Sequence, residues 1–200
     1  MNFLGHSMIS FEVDRKNNKE TLYGNFTGDF YKGLITKITL PAGLKEGVVL
    51  HRIVDSISDR EENFLNELLK EKFGIYKGIV SDMFVDHFLS KKFDRLFNEN
   101  INDIEKEIFY NIKINEKYFP ERFENVFSWL VSERILSKYA DINVLEKVFS
   151  GISKRMRNGT VLTLAVEELK KNYNEFEEKS IKEFEYVKNN SIKKFLDKIK

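Results

Sequence analysis

The sequence predicts an all-α protein folded as a single-domain helical bundle. Apolar residues recur at three- and four-residue spacing along nearly the whole chain, which is the period of an amphipathic helix. Only two prolines, Pro41 and Pro120, interrupt the 200 residues. The most strand-like stretch, GLITKITLPAG, is short and contains Pro41. A chain of this length is sufficient for one domain with a substantial core, so we expect one domain over residues 1–200.

The first half of the chain carries a helix start and a helix end. Ser58 is followed three residues later by Glu61, a capping-box pattern that predicts a helix over about 59–72. Gly74 follows this segment and is typical of a helix end. The apolar spacing predicts a further helix over 78–97.

The second half is also divided by residues typical of helix ends. Asn102 or Asp103 is expected to begin a helix, and Pro120 fits the first turn of the next one. Asp141 is the expected N-cap of a helix that stops at the Asn-Gly pair 158–159. Residues from 160 to about 189 are predicted to form one long amphipathic helix, followed by a frayed or separate basic tail up to residue 200.

Composition excludes several classes of partner. The chain has 33 Lys+Arg against 32 Asp+Glu, a net charge of +1, so nucleic acid is not favoured as a partner. No apolar run is long enough to cross a bilayer, and the start lacks the basic region of a signal peptide. With no cysteine, disulfides and thiolate metal sites are excluded, and a cytoplasmic location is the simplest expectation.

Three segments place acidic, imidazole or amide side chains one turn apart. In GIVSDMFVDHFLSKKF, the residues Asp82, Asp86 and His87 share one sector of a helical wheel, opposite a sector of apolar residues. In GVVLHRIVDSISD, the residues His51, Asp55 and Asp59 line one face.

The third segment is YGNFTGDFYKG, in which Asn25 and Asp29 are four residues apart and are surrounded by glycines. Each such face has an ordinary explanation, because every amphipathic helix has a solvated side. These faces, however, use Asp, His and Asn where neighbouring faces use Lys and Glu, and aspartate is a poorer helix former than glutamate. Histidine and aspartate are ligands for hard or borderline divalent ions, so the pattern favours a metal site.

Several segments together resemble the acyl carrier protein phosphodiesterase family. They are MNFLGH, GNFTGDFYKG, HRIVDSISD, DMFVDHFLSKKF, SERILSKYAD and GISKRMR, in that order along the chain. The resemblance implies an all-α enzyme of the HD-like metal phosphohydrolase type. It also implies that the enzyme removes 4′-phosphopantetheine from holo-acyl carrier protein with a divalent ion, typically manganese, with magnesium or iron as alternatives. The adjacent pair reads Asp86-His87, reversed from the His-Asp order of the wider superfamily, so ligand positions do not transfer directly.

Within this resemblance we assign expected roles to the polar residues of the matching segments. The expected metal ligands are His51, Asp86 and His87, with Asp29 or Asp55 completing the shell. His6 is expected as a ligand, a residue that orients a ligand, or an ordinary packed histidine. The residues assigned to catalysis are Asp29, Asp55, Asp82 and Arg52. Asp82 is expected to orient a ligand histidine. Arg52 either holds the phosphate or forms a surface ion pair.

Holo-acyl carrier protein is the partner that the resemblance implies. Acyl carrier proteins are acidic, so we expect a basic docking surface. The candidate residues are Lys91, Lys92, Arg95, Lys154, Arg155 and Arg157. Two other functions remain open at this point: a related metal phosphohydrolase acting on another phosphoester such as a nucleotide, and a helical protein that binds an acidic partner without chemistry.

Overall fold

The computed structural model describes residues 1–199, and in that range it contains α-helices and short 3₁₀ helices but no β-strand. The prediction of an all-α fold is therefore confirmed. The α-helices are, in chain order, α1 (Phe3–Asn17), α2 (Leu22–Thr27), α3 (Ala42–Ser58), α4 (Asn66–Phe73), α5 (Lys77–Lys91), α6 (Phe93–Phe97), α7 (Ile101–Lys113), α8 (Phe123–Glu133), α9 (Ile135–Lys138), α10 (Ile142–Ser153), α11 (Ala165–Lys171) and α12 (Tyr173–Lys198). The 3₁₀ helices are Gly28–Phe30, Ile35–Lys37, Gly74–Tyr76, Glu116–Tyr118 and Gly159–Leu164.

The longer helices pack around one another and enclose a single apolar cluster. Helix α3 packs on α2 and α12, and α5 packs on α1, α4 and α12. The buried apolar side chains form one cluster that extends from Met1 to Phe195. Each fully buried phenylalanine contributes about 1.5–3 kcal/mol by removal of its ring from water. No helix within residues 1–199 combines the length and apolarity needed to cross a bilayer.

Helices α2 and α3 approach each other closely at a glycine. A Cβ atom at Gly47 would lie 2.2 Å from the carbonyl oxygen of Thr21, so only glycine permits this backbone contact. The contact sets the first turn of α2 directly against α3. Because of it, Asn25 on α2 and His51, one turn beyond Gly47 on α3, face each other.

The segment after α3 differs from the prediction. The expected helix over about 59–72 is wrong at its start, because α3 continues to Ser58 and α4 begins only at Asn66. The intervening turn is held by Asn63, whose side chain donates to the carbonyl of Ser58 and accepts from the backbone N–H of Leu65. Because Ser58 is the last residue of α3, its hydroxyl does not cap the start of a helix.

Other helix ends agree with the sequence more closely. Helix α4 ends at Gly74, which has a φ of 50°, and Asp141 caps α10 by accepting from the N–H of Asn143. Helix α7 is capped by Asn100, two residues before Asn102, the earlier of the two predicted starts. Pro120 lies ahead of α8, and its carbonyl accepts from the N–H of Phe123.

The C-terminal third is divided differently from the prediction. The single helix expected from 160 to about 189 is instead a 3₁₀ helix, α11 and α12, with the break at Asn172. The prediction of a separate basic tail is wrong, because α12 continues to Lys198. Two side chains of that tail, Ser191 and Phe195, are buried, so packing keeps the last turns helical. The helix expected over 78–97 is likewise two helices, α5 and α6.

A Gly47→Ala substitution tests the close contact between α2 and α3. The added methyl group would have to displace backbone, so we expect the free energy of unfolding to fall by about 1–3 kcal/mol or more. Gly151→Ala in α10 is the matched control, because nothing lies within 4 Å of a Cβ there. We expect that control to be neutral or stabilised by up to about 1 kcal/mol. Urea unfolding followed by circular dichroism measures both, and equal stability of the two variants would contradict the contact.

Candidate active site

Two histidines and an aspartate meet where α1 and α3 face each other. The potential ligand atoms of His6, His51 and Asp55 all lie within 4.8 Å of one another. The Nε2 atoms of His6 and His51 lie 3.2 and 3.1 Å from the two carboxylate oxygens of Asp55. The two imidazole rings are stacked, with centroids 4.4 Å apart, and both are buried. The side chain of Asp55 is 39% exposed, so the group opens to solvent on the carboxylate side.

One residue on α2 orients both rings. The Nδ1 atom of His6 lies 2.7 Å from the side-chain oxygen of Asn25, and the Nδ1 atom of His51 lies 2.8 Å from the backbone oxygen of Asn25. Both oxygens only accept hydrogen bonds, so each Nδ1 carries the hydrogen. The amide nitrogen of Asn25 in turn donates to the carbonyl of His6 and to the hydroxyl of Ser10. Each Nε2 atom is thereby directed towards Asp55.

Asp29 and Gly28 border the same group from the end of α2. The carboxylate of Asp29 lies 3.5 Å from the Nε2 atom of His51, and its side chain is 71% exposed. A Cβ atom at Gly28 would lie 2.1 Å from the imidazole ring of His51. Because glycine has no side chain, the imidazole ring of His51 can occupy the space beside residue 28.

The carboxylates and the histidines alter each other's protonation. Burial lowers the pKa of His51, but the adjacent carboxylates of Asp29 and Asp55 outweigh burial and raise this pKa to about 9. Burial and the nearby His51 lower the pKa of His6. Burial alone would raise the pKa of Asp55, yet the two histidines hold it well below its usual value. Interaction with His51 also lowers the pKa of Asp29. The group therefore stabilises positive charge between its carboxylates.

One buried nitrogen of the group lacks a satisfactory partner. The Nε2 atom of His51 makes no hydrogen bond of acceptable geometry, although two carboxylates lie within 3.5 Å. A buried polar atom without a hydrogen bond is costly, and a bound ion is one of the explanations for such an atom. The donor set fits a divalent ion: two imidazole nitrogens, a carboxylate of Asp55 and a second carboxylate of Asp29 nearby.

The structure does not bring Asp86 into this group. Its buried carboxylate accepts hydrogen bonds from the backbone N–H groups of Asn2, Leu4 and Gly5, at 3.3, 2.8 and 3.1 Å. These N–H groups belong to the first turn of α1, where helix geometry leaves them without partners and a negative charge is favourable. The mid-helix aspartate, which we expected as a metal ligand, instead binds the start of α1.

His87 and Asp82 also have other partners. The Nδ1 atom of His87 lies 2.7 Å from the carbonyl of Tyr139, and its Nε2 atom lies 2.8 Å from the hydroxyl of Tyr173. Both ring nitrogens are therefore used, and His87 lies outside the group. Asp82 accepts a 2.5 Å hydrogen bond from the α-amino group of Met1 and orients neither histidine, which differs from its expected role. The shared polar sector on α5 thus faces other helices.

The predicted basic residues lie in three separate places. Arg52, next to the group, donates a 3.0 Å hydrogen bond to the carbonyl of Tyr31. Lys91 lies over the ring of Tyr173, and Lys92 forms a 3.0 Å ion pair with Glu177 on α12. Arg95 lines a shallow surface cavity between α6 and α12 together with Lys92. The residues Lys154, Arg155 and Arg157 are exposed after the end of α10.

Asn25 was named from the sequence, but no role was predicted for it. The signal was its position among Gly24, Gly28 and Asp29, where missing side chains permit close contacts with a neighbouring helix. His6, for which three roles were open, joins the group directly. Asp55 rather than Asp86 supplies its central carboxylate.

Fold and site together define a class of protein: an all-α chain with a buried group of imidazole and carboxylate donors able to hold a divalent ion. Comparison with known proteins gives the family. The family model for acyl carrier protein phosphodiesterase matches residues 1–187, and the chain belongs to this family of phosphodiester hydrolases. The resemblance inferred from the sequence motifs is confirmed.

Relatives along most of the chain carry the same description. Three proteins named acyl carrier protein phosphodiesterase illustrate the similarity. The protein of Yersinia enterocolitica is 27% identical over 186 residues, covering 89% of this chain and 91% of its own. That of Pectobacterium atrosepticum is 27% identical over 189 residues, covering 88% and 90%. That of Photorhabdus laumondii is 24% identical over 188 residues, covering 88% of each chain. No solved structure is significantly similar to this chain.

The role of Asp86 can be tested by the pH dependence of stability. Burial raises the pKa of Asp86 from 3.8 to about 7 in the folded protein. Between these pH values the folded protein keeps a proton that the unfolded chain has released, so stability falls as the pH rises from about 4 to about 7, by up to about 1.4 kcal/mol per pH unit. We expect the Asp86→Asn variant to lose less stability over this range.

Urea unfolding of both proteins at several pH values measures the difference. Asp103→Asn is the control, because it makes the same substitution at an exposed aspartate of α7. Parallel profiles for the wild type and the Asp86→Asn variant would contradict the assignment.

Proposed function

We propose that this chain hydrolyses the phosphodiester that joins the serine of holo-acyl carrier protein to its 4′-phosphopantetheine arm, using a divalent ion. Membership of the acyl carrier protein phosphodiesterase family supports the substrate. The single observation that supports the ion is the group formed by His6, His51 and Asp55, in which the buried Nε2 atom of His51 makes no hydrogen bond of acceptable geometry. Water adds to the phosphorus, the bond to the serine oxygen breaks, and the products are apo-acyl carrier protein and 4′-phosphopantetheine.

The residues of the group would hold the ion with complementary donors. His6 and His51 offer their Nε2 atoms, Asp55 offers either carboxylate oxygen, and Asp29 lies within reach of the same position. Imidazole combined with carboxylate suits manganese or iron(II), and manganese is the ion that we propose. When bound, such an ion lowers the pKa of a coordinated water and offsets negative charge on the phosphoryl oxygens. We also propose that the site is of the HD-like metal phosphohydrolase type.

The protein's own residues have distinct tasks in this scheme. Asn25 keeps both rings in one tautomer, so their Nε2 lone pairs face the same point. Asp29 is exposed on the open side of the group, where substrate and water would approach, so we propose that its carboxylate accepts the proton of the attacking water. Arg52 uses one N–H on the carbonyl of Tyr31, and we propose that its positive charge attracts the phosphate.

The direct test incubates holo-acyl carrier protein with the enzyme and manganese and measures the mass of the carrier. We expect the carrier to lose the mass of the 4′-phosphopantetheine arm, and we expect a His51→Ala variant to be at least about 100-fold slower because its ligand is missing. Metal analysis of the purified protein separates this proposal from a non-catalytic binding protein, which would contain no metal. An unchanged carrier mass, together with rapid turnover of small phosphoesters, would favour a phosphohydrolase with another substrate.

An Asn25→Ala variant tests the orientation of the histidines. The ring of His6 loses its hydrogen-bond acceptor, whereas the backbone carbonyl that accepts from His51 remains, so we expect affinity for manganese to fall by about 10–100-fold. Titration calorimetry on metal-free protein measures the affinity without requiring turnover. Thr27→Ala is the matched control, because Thr27 is a buried polar residue of the same helix whose hydroxyl donates to the carbonyl of Tyr23. Equal loss of affinity in both variants would mean that Asn25 only stabilises the fold.

A further inference from the structure

The scissile bond imposes a geometric condition on the docking of the carrier. The inference that follows rests on the proposed function. In holo-acyl carrier protein the phosphorus is attached to a serine oxygen, and only the serine Cβ and that oxygen separate it from the main chain of the carrier. The surface of the carrier must therefore come into contact with the enzyme immediately around Asp29 and His51. A docking surface remote from these residues would leave the phosphodiester out of reach.

The chain that follows Asp29 borders the site and is basic. We call residues 31–40 the docking segment. It begins two residues after Asp29 and carries Lys32 and Lys37, both exposed, with no acidic residue before Glu46. Within residues 1–199 neither lysine forms an ion pair, in contrast to Lys92, which is paired with Glu177. Two unpaired ammonium groups are thus available within eight residues of Asp29 along the chain.

The docking segment also presents an apolar side chain. Leu34 lies between the two lysines and is 64% exposed. It precedes the 3₁₀ helix Ile35–Lys37, so the apolar and basic groups share one short, folded stretch. An apolar contact flanked by positive charges is complementary to an acidic partner with an apolar side chain among its carboxylates.

Hydrogen bonds hold Tyr31, the first residue of the docking segment, in place. The hydroxyl of Tyr31 donates to the carbonyl of Tyr118 at 2.6 Å and lies 2.9 Å from the hydroxyl of Tyr23. Arg52, next to His51, donates to the carbonyl of Tyr31. The side chain of Ile38 is buried. A preformed surface loses less entropy on binding than a flexible loop.

We propose that the acidic surface of acyl carrier protein beside its modified serine docks on residues 31–40, with Lys32 and Lys37 providing charge attraction and Leu34 an apolar contact. The exposed carboxylates of Asp29 and Asp55 would by themselves repel an acidic carrier, and the two lysines offset that repulsion. This surface differs from the two basic groups predicted from the sequence alone, of which Lys92 already has a carboxylate partner.

The test measures binding of fluorescently labelled holo-acyl carrier protein by anisotropy, which does not require hydrolysis. We expect a Lys32→Glu/Lys37→Glu double variant to raise the dissociation constant by about tenfold or more, and the difference to shrink at high salt. A Lys193→Glu/Lys194→Glu variant is the control, because it makes the same change in net charge at exposed positions of α12. A Lys154→Glu/Arg155→Glu variant tests the competing surface after α10.

The apolar contact has its own pair of variants. We expect Leu34→Ala to weaken binding by about fivefold. Ile75→Ala should leave binding unchanged, because Ile75 is 90% exposed and lies in the 3₁₀ helix Gly74–Tyr76, outside the docking segment.

The outcomes are distinguishable. Loss of binding in the double variant at residues 32 and 37, with binding retained by the control on α12, supports the docking segment. Unchanged binding by the double variant at residues 32 and 37 overturns the proposal. Loss of binding confined to the variant at residues 154 and 155 also overturns it, as does the absence of binding by the wild type. If the wild type binds and the double variant does not, but the carrier mass never changes on incubation, the docking segment stands and the proposed hydrolysis fails.

Discussion

The site depends on one residue that holds two rings from two different helices. Asn25 accepts from His6 through its side-chain oxygen and from His51 through its backbone oxygen. This requires α2 to lie directly against both α1 and α3. Gly47 and Gly28 make the approach to α3 possible, because a methyl group at either position would overlap a carbonyl oxygen or an imidazole ring. The geometry of the histidines is thus a consequence of backbone packing.

Charge balance explains how so many ionisable groups tolerate burial. Two carboxylates face two imidazoles, so positive charge at His51 is stabilised and the carboxylates stay ionised. Asp29 and Asp55 remain partly exposed, which limits the cost of desolvation. The same arrangement that accommodates a proton on His51 also suits a divalent cation at that position.

The polar face of α5 contributes at a distance. Asp86 binds the first turn of α1, and His6 lies in the next part of that helix, so Asp86 helps to determine where His6 stands. His87 joins α5 to Tyr139 and to Tyr173 at the start of α12. These residues are buried and polar because they attach helices to one another. Buried polar residues along one helix can either join helices or bind a metal, and the pattern along that helix does not distinguish the two roles.

The sequence by itself determined the helical class, the end of α4 at Gly74 and the cap of α10 at Asp141, because these depend on neighbours along the chain. It also determined that His51 and Asp55 share a face, since residues four apart lie on adjacent turns of any helix. Only the tertiary structure decided that His6 completes this group while Asp86 and His87 do not. Spacing along one helix gives the direction of a side chain relative to that helix, whereas its partner is chosen by the packing of other helices against it.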